Sequence, residues 1–468
     1  MAETTARTPH ADELRDAVDA GFPTSVADLS RLVRIPSVSW DGFDPAHVEA
    51  SAEAVRELAA ATGVFDQVEV VQVPYGDAGR LGHPAVIATR KARNGRPTIL
   101  LYAHHDVQPP GEDESVWESS PFEPTLRGDR LYARGAADDK AGVMAHLGAI
   151  RALTSVLGVD LDLGLVLFVE GEEEFGSRSL PEVFRRYRDR IASDVIVVAD
   201  SGNWDLDTPA LTVALRGAVA FNLRVTTLAH ANHSGMMGGA VPDAPLAAIE
   251  LLSTLWNADG SVAVEGLTSH EAATPEYDEA KLREESGLLE GTRPIGRGEI
   301  LSRLWYQPSI TVTGMDIPTI RSASNTLVPS VRARISARVA PGQTWQDAYA
   351  AIEAHLQAHV PHGAEISIED LDTGNPFLVD TSGWAASDAL ETMTEAYEKD
   401  AVQIGAGGSI PFIADLVELY PEAQILITGV EDPDSRAHSP NESVHLPTFR
   451  RAILAEALLL ARLESREQ

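Results

Sequence analysis

The first part of the chain alternates amphipathic stretches with short, continuous apolar runs. The spacing of apolar side chains predicts helices over residues 45–62 and 141–157. Strands are predicted at the short apolar runs, over 68–73, 84–90, 98–104, 163–169 and 194–199. Continuous apolar runs are typical of strands buried on both faces of a parallel sheet. Helices that separate such strands indicate βαβ units, so this part predicts an α/β fold with a mostly parallel, twisted sheet.

The pattern changes after residue 210. Strand, helix, strand, strand, helix and strand are predicted in that order, over 211–228, 244–256, 309–315, 331–341, 344–360 and 365–371. This order is the split βαβ, or ferredoxin-like, α+β arrangement. A polar insertion at about 265–298, rich in Glu and Gly, is predicted as surface loop. Because the α/β pattern returns afterwards, we predict a discontinuous first domain, 1–210 and 378–468, with a second domain, 211–377, inserted into it.

The composition and net charge exclude several kinds of binding partner and catalytic site. The 468 residues are 44% hydrophobic, which is ordinary for a globular protein, and carry a net charge of −33. Such a charge repels phosphate backbones and anionic membrane surfaces, so we predict binding to neither nucleic acid nor membrane. The absence of cysteine excludes thiolate metal sites and cysteine nucleophiles. The segment MAETTARTPHADEL has no basic or apolar region typical of a signal peptide, so we predict a cytoplasmic protein.

Acids and histidines cluster where predicted strands end. His104 ends one run, Glu170 to Glu174 end another, and Asp200 follows a third. The carboxyl ends of strands in such sheets face one crevice, where ligands bind. Carboxylates buried together without a partner cost several kcal/mol each, a cost that divalent cations remove. This pattern predicts a metal site, although each acid alone has an ordinary explanation as a turn, cap or solvated residue.

Seven segments carry a specific resemblance. In chain order they are YAHHDVQP, LYARGAADDKAG, VEGEEEFGS, VVADSG, HANHSG, GGSIP and AHSPNE. They resemble the carnosinase-like dipeptidase branch of the two-zinc metallopeptidase family, which also holds glutamate carboxypeptidases, succinyl-diaminopimelate desuccinylases and aminoacylases. The resemblance extends from about Ser37 to the C-terminus. It implies that the first domain is catalytic and that the inserted domain is a lid that also forms a dimer.

The resemblance implies a centre with two divalent ions, Zn²⁺ first, with Mn²⁺ or Co²⁺ as alternatives. The implied metal ligands are His104, Asp138, Glu174, Asp200 and His438, with Asp138 bridging the two ions and followed by a cis peptide bond. Asp106 is implied to orient His104. Glu173 is implied to be the general base that activates a metal-bound water, which makes Glu172 a variable position.

Other residues are implied to bind the substrate. His233 matches a lid histidine that similar enzymes supply from the partner subunit to stabilise the oxyanion, which implies a homodimer. Arg338 matches an arginine that holds the C-terminal carboxylate of a dipeptide, and Thr326 and Ser409 are expected to assist. The loop before Ser409 departs from the family pattern, because Ile404-Gly405-Ala406 replaces a segment that commonly holds arginine. This departure leaves the preferred substrate open.

The resemblance therefore implies a metallodipeptidase that hydrolyses the peptide bond of dipeptides. An aspartate at position 200 is typical of the dipeptidases and aminopeptidases of the family. Three alternatives stay open: an amidohydrolase that deacylates N-acyl amino acids, a metal-binding scaffold dimer without activity, and a simple acidic binding protein. The presence of Glu173 and His233 favours an enzyme, since a scaffold needs no general base.

Overall fold

Two units make up the chain in the computed structural model, which describes residues 7–76, 79–407, 413, 416–417 and 419–466. The first unit consists of Met1–Val213, Val379–Ile404 and Asp415–Gln468, and the second of Ala214–Leu378 and Gly405–Ala414. The predicted domain boundaries, 210/211 and 377/378, lie three residues and one residue from the boundaries between the units, 213/214 and 378/379. The sequence did not predict that the segment Gly405–Ala414 belongs to the second unit.

The helices are, in chain order, α1 Ala11–Val33, α2 Pro45–Ala61, α3 Lys140–Leu157, α4 Leu180–Ile191, α5 Ser234–Met237, α6 Ala244–Ser253, α7 Glu279–Ser286, α8 Ile300–Trp305, α9 Trp345–Ala358, α10 Trp384–Tyr397 and α11 Leu446–Ser465. The strands are β1 Gln67–Val71, β2 Pro74–Tyr75, β3 Arg80–Leu81, β4 Ala85–Arg90, β5 Thr98–His104, β6 Thr125–Arg127, β7 Arg130–Tyr132, β8 Gly164–Glu170, β9 Val195–Val198, β10 Ala210–Leu215, β11 Gly217–Thr226, β12 Asn232–His233, β13 Ser309–Asp316, β14 Thr326–Leu327, β15 Ser330–Val339, β16 Glu365–Gly374, β17 Phe377–Leu378, β18 Val402–Ala406, β19 Gln424–Ile427 and β20 Ser443–His445.

The main sheet of the first unit has the order β1-β4-β8-β5-β9-β19-β10. Its central pairs, β8 with β5, β5 with β9 and β9 with β19, are parallel, whereas the outer pairs are antiparallel. The predicted α/β class is confirmed, with a mixed sheet whose parallel part lies at the centre. All seven residues of β8 are buried, as expected for a strand covered on both faces.

The helices of the first unit cover this sheet. Helix α3 packs against α1, α11 and β5, and most of its residues are buried. Helix α2 begins where Asp44 accepts a hydrogen bond from the backbone N–H of Ala46, with Pro45 in the first turn. Helix α1 was not predicted from the sequence. It contains Pro23 and is stabilised by burying Leu14, Leu29 and Leu32.

The second unit contains the predicted ferredoxin-like arrangement. Its antiparallel sheet has the order β13-β15-β11-β16, and α6 and α9 pack on it. Alternate residues of β11 are buried, which places Phe221 and Leu223 in a core with Leu251 of α6 and Ile352 of α9. The insertion predicted as loop contains helix α7, which begins where Asp278 accepts from the N–H of Lys281.

No helix in the described ranges combines the length and the apolar composition that a membrane span requires.

Candidate metal centre

The parallel strands bring the candidate residues to one edge of the sheet. His104 is the last residue of β5 and lies opposite Glu170, the last residue of β8. Asp200 comes two residues after the end of β9, which pairs with β5. Because the strands run in the same direction, their carboxyl ends meet at this edge. Glu173 and Glu174 lie in a short 3₁₀ turn that follows β8, and so reach the same edge.

One group of potential ligands consists of His104, Asp138 and Asp200, whose ligand atoms lie within 4.8 Å of one another. His104 Nε2 is 3.0 Å from Asp138 Oδ1 and 3.8 Å from Asp200 Oδ1. His104 is fully buried, and Asp200 is partly buried. Imidazole nitrogen and carboxylate oxygen are donors suited to Zn²⁺, Mn²⁺ and Co²⁺.

A second group consists of Asp138, Glu174 and His438. His438 Nε2 is 2.9 Å from Asp138 Oδ2 and 3.3 Å from Glu174 Oε2. Asp138 thus presents one carboxylate oxygen to each histidine. The peptide bond that follows it, between Asp138 and Asp139, is cis. A carboxylate shared by two ligand groups can bridge two ions.

Glu173 belongs to neither group. Its Oε2 atom lies 4.0 Å from His104 Nε2, at the margin of the first group. Burial, together with the nearby charge of Asp200, raises the pKa of Glu173 well above its usual value. A carboxyl group that is close to a metal site, outside the ligand set and inclined to hold a proton has the properties of a general acid–base group.

Asp106 holds both His104 and the glutamate turn. His104 Nδ1 lies at hydrogen-bond distance, 3.1 Å, from the backbone carbonyl oxygen of Asp106 and 3.4 Å from its Oδ1. The same Oδ1 accepts a hydrogen bond from the N–H of Glu173 at 3.1 Å. Its Oδ2 accepts from the N–H of Glu174 at 3.2 Å and from the hydroxyl of Ser39 at 2.7 Å. The carboxylate is fully buried. Asp106 therefore fixes the imidazole and the two glutamates relative to one another.

Glu442 supports Asp138 and was not identified from the sequence. Its Oε1 accepts hydrogen bonds from the backbone N–H groups of Ala137 at 3.0 Å and Asp138 at 3.1 Å, and its Oε2 accepts from Arg134 Nη1 at 2.6 Å. Glu442 is fully buried. It ends the segment AHSPNE, so the motif contained the signal, but no local pattern distinguishes it from a surface glutamate.

Glu172 is also more constrained than a variable position suggests. It is 1% exposed, and its carboxylate accepts hydrogen bonds from the backbone N–H groups of Ser179 at 2.6 Å and His83 at 3.2 Å. Arg178 donates to the same carboxylate. Glu172 thus anchors the turn, while Glu173 and Glu174 come close to the candidate ligands.

The electrostatics of the centre fit divalent cations. Burial alone would lower the pKa of His104, but the nearby carboxylates of Asp106, Asp138 and Asp200 raise it well above its usual value. Hydrogen bonds to Asp138 and Glu174 raise the pKa of His438 to about 11. Burial and the charge of Asp138 raise the pKa of Glu174 to about 7. The raised pKa values show that the crowded carboxylates favour positive charge and bound protons at these side chains. Two cations would supply this positive charge instead.

Two predicted substrate residues lie together in the second unit. His233 on β12 pairs with Thr326 on β14. His233 is exposed, and its Nδ1 accepts a hydrogen bond from the N–H of Gly235 at 3.1 Å. A neutral imidazole whose Nδ1 accepts carries its proton on Nε2, so this nitrogen is a donor. Thr326 exchanges a hydrogen bond with Ser324 through their hydroxyls, which are 2.7 Å apart.

Arg338 lies on β15 of the second unit, paired with Ala218 of β11 and Ser309 of β13. In the same unit, a Cβ atom on Gly405 would lie 2.5 Å from Cβ of Trp305, so the tryptophan occupies the space of any side chain at position 405. Trp305 thus favours glycine at position 405. Ser409 lies outside the described residues.

Comparison with known proteins identifies relatives over most of the chain. A sequence model of peptidase family M20/M25/M40 matches residues 100–462. A cysteinylglycine-S-conjugate dipeptidase of Corynebacterium striatum is 31% identical over 421 residues, which cover 89% of this chain and 91% of that protein. A Beta-Ala-His dipeptidase of Rattus norvegicus is 26% identical and covers 84% of this chain and 82% of its own length.

Solved structures share the fold. The structure of the dipeptidase Dug1p from Saccharomyces cerevisiae aligns with a TM-score of 0.79 at 20% identity, covering 99% of this chain and all of that one. At this identity the likeness concerns the fold.

Glu170 provides a test of the electrostatics behind the centre. It is 3% exposed and accepts a hydrogen bond from the hydroxyl of Tyr102 at 2.8 Å. Burial raises its pKa to about 8, so the folded state holds a proton that the unfolded state loses near its usual pKa of 4.5. The free energy of unfolding should therefore fall as the pH rises through this range.

Glu170→Gln removes this titration while keeping an acceptor for Tyr102. In metal-free protein, we expect the stability of the variant relative to wild type to increase between about pH 5 and about pH 9, measured by urea unfolding. Glu49→Gln, an exposed site on α2, is the control and should show no such trend. A difference between Glu170→Gln and wild type that does not change with pH would contradict the prediction.

Proposed function

The chain belongs to peptidase family M20/M25/M40, and from this membership we propose how it acts: it is a metal-dependent dipeptidase that hydrolyses the peptide bond at a two-metal centre. The observation that carries the proposal is the pair of ligand groups that share Asp138, with Glu173 beside them and outside both. The relatives named as dipeptidases support dipeptides as the substrate class.

We assign residues to each ion from the two candidate ligand groups. His104, Asp138 and Asp200 would hold one ion, and Asp138, Glu174 and His438 the other. When bound, divalent ions supply a nucleophilic water at neutral pH and polarise the carbonyl group of the substrate. We propose Zn²⁺ as the metal, because the donors are imidazole and carboxylate; Mn²⁺ and Co²⁺ suit the same donors.

Glu173 is the general base of the proposed reaction. Its carboxylate takes the proton of the attacking water and passes it to the nitrogen of the leaving amine, which would otherwise be a poor leaving group. Burial and the charge of Asp200 raise the pKa of Glu173. A raised pKa helps this carboxyl group to hold the proton between its removal from water and its transfer to the amine. Asp106 positions Glu173 through its backbone N–H and orients the ring of His104.

The second unit contributes the groups that bind the substrate. His233 donates from Nε2 to the developing oxyanion, in agreement with the acceptor role of its Nδ1. Arg338 binds the C-terminal carboxylate of the dipeptide through its guanidinium group. Thr326 and Ser409 assist in binding the ends of the substrate. We propose that this unit is a lid and dimerisation domain and that the enzyme works as a homodimer.

We further propose a cytoplasmic location, without nucleic-acid or membrane partners. The net charge of −33 supports the second part of this proposal, because it opposes binding to polyanionic surfaces. Cell fractionation, with the protein expressed at its natural level, tests this location. Sedimentation of the protein with membranes would contradict the proposal.

A substrate panel tests the reaction class. With Zn²⁺ or Mn²⁺ added, we expect cleavage of cysteinylglycine, its S-substituted conjugates or β-alanylhistidine, and loss of that cleavage with a chelator. Tripeptides and N-acetyl amino acids are included as matched amide substrates. Release of acetate without dipeptide cleavage would instead identify an amidohydrolase. Metal binding without turnover of any substrate would favour the scaffold.

The neighbouring glutamates give a second prediction. Glu173→Gln should lower kcat by at least about 100-fold and leave two metal ions per chain, since Glu173 moves protons and does not bind metal. Glu174→Gln is the matched control and should lose metal, because its oxygen belongs to the second ligand group. For both variants, kcat is measured, and the metal content is determined after gel filtration. Metal loss in Glu173→Gln with retention in Glu174→Gln would reverse the two roles.

The role of His233 across subunits is tested by mixing inactive variants. His233→Ala alone should lower kcat by about 100-fold or more, as loss of an oxyanion donor does. In a mixed dimer of His233→Ala with Glu173→Gln, one site has both wild-type residues if His233 acts on its partner. We therefore expect activity to return after subunit exchange. Mixed dimers, verified by differently tagged chains, that stay inactive would show that His233 does not act in this way.

A further inference from the structure

Residues of the second unit between 256 and 311, together with Arg216, line a cavity of about 560 Å³. This volume lies within the range of about 300–1,000 Å³ that is usual for small-molecule sites. Much of the wall is apolar, and it includes Val262, Leu267, Leu282, Leu288 and Ile300. Several of these residues come from the insertion that the polar sequence pattern predicts as loop.

The charges of this cavity are opposite to those of the protein. The chain has 70 acidic and 37 basic residues, yet the lining contains three arginines, Arg216, Arg293 and Arg303, and neither aspartate nor glutamate among its described residues. A cavity without acids is unexpected at this composition. It gives an apolar space with positive charge at its wall, inside a strongly negative protein.

Arg216 is the buried member of the three. It is 8% exposed, and its Nη1 donates to the carbonyl oxygens of Arg303 at 3.4 Å and Gln307 at 3.3 Å and to the hydroxyl of Ser309 at 3.3 Å. Its Nε is buried and has no hydrogen-bond partner in the described structure, and no described carboxylate contributes to its electrostatics. Burial and the nearby charge of Arg338 lower its pKa to about 10, so it stays charged at neutral pH.

The other two arginines also lack an acidic partner within the described ranges. Arg303 donates to the carbonyl oxygens of Ile295 at 3.0 Å and Gly298 at 2.7 Å, and so holds the insertion in place. Arg293 is exposed and has neither an ion pair nor a hydrogen bond to any described residue. At the buried Arg216, a positive charge without a counter-ion is unfavourable, and a bound anion would compensate it.

We propose that this cavity binds small amphipathic carboxylates, with the apolar chain against the leucine and isoleucine side chains and the carboxylate at Arg216 and Arg293. A guanidinium group donates charge-assisted hydrogen bonds to a carboxylate. At Arg216, Nη1 makes the hydrogen bonds to the described residues and Nε is buried, which leaves Nη2 as the group that can reach a ligand. The site consists of residues of the second unit alone and does not rest on the proposed peptidase reaction.

Calorimetric titration of the metal-loaded protein with sodium decanoate tests the proposal. Decanol has the same alkyl group without the charge, and acetate has the charge without the long alkyl group. We expect saturable binding of decanoate with one molecule per chain, and binding of acetate and decanol at least tenfold weaker. Equal binding of decanol, or no binding of decanoate, would overturn the proposal.

Variants locate the site. Arg293→Glu and Arg216→Gln should each weaken decanoate binding at least tenfold, whereas Arg321→Glu, a change of an exposed arginine outside the cavity in the same unit, should leave it unchanged apart from the general effect of net charge. Because Arg293 is exposed, its variant is expected to fold even if the change at the buried Arg216 disrupts the protein. Decanoate binding to Arg293→Glu that equals binding to Arg321→Glu would place the ligand elsewhere and refute the assignment.

Discussion

The carboxylate of Asp138 lies between two imidazoles, and much of the surrounding structure serves this arrangement. One oxygen lies 3.0 Å from His104 and the other 2.9 Å from His438. Glu174 and Asp200 complete the two groups, so acids are crowded at one edge of the sheet. Such crowding is unfavourable in a poorly solvated site unless cations compensate it. In the proposed function, two cations supply this compensation and so link the fold to the chemistry.

Other buried acids hold this centre in place. Asp106 accepts hydrogen bonds from the backbone of the glutamate turn, and Glu442 accepts two from the backbone around Asp138. Asp139 accepts another from the N–H of His104. Each of these contacts joins segments that are distant in the sequence. The candidate ligands are thus positioned by a network of hydrogen bonds to backbone groups, and this network limits the movement of their side chains.

Much of the fold follows from the sequence, and the reasons for the exceptions are physical. The strand Thr98–His104 has the predicted bounds, because its apolar run is delimited by Pro97 before it and by the polar residues His105 and Asp106 after it. Helix Ala11–Val33 was missed because it contains Pro23, and its stability comes from packing on α3 and α11. The apolar residues of the insertion have no regular period, so the cavity that they line had no signature in the sequence. The candidate ligands His104, Glu174 and Asp200 could be named because they end or follow strands, and Asp138 and His438 because they match motifs of a family. The role of Glu442 depends on a contact across the chain that no local pattern contains.

Anomalous diffraction from crystals soaked in Zn²⁺ tests the central claim most directly. Two neighbouring zinc peaks are expected, one beside His104 and Asp200 and the other beside Glu174 and His438, with Asp138 bound to both. A single peak, or two peaks without contact to Asp138, would contradict the account.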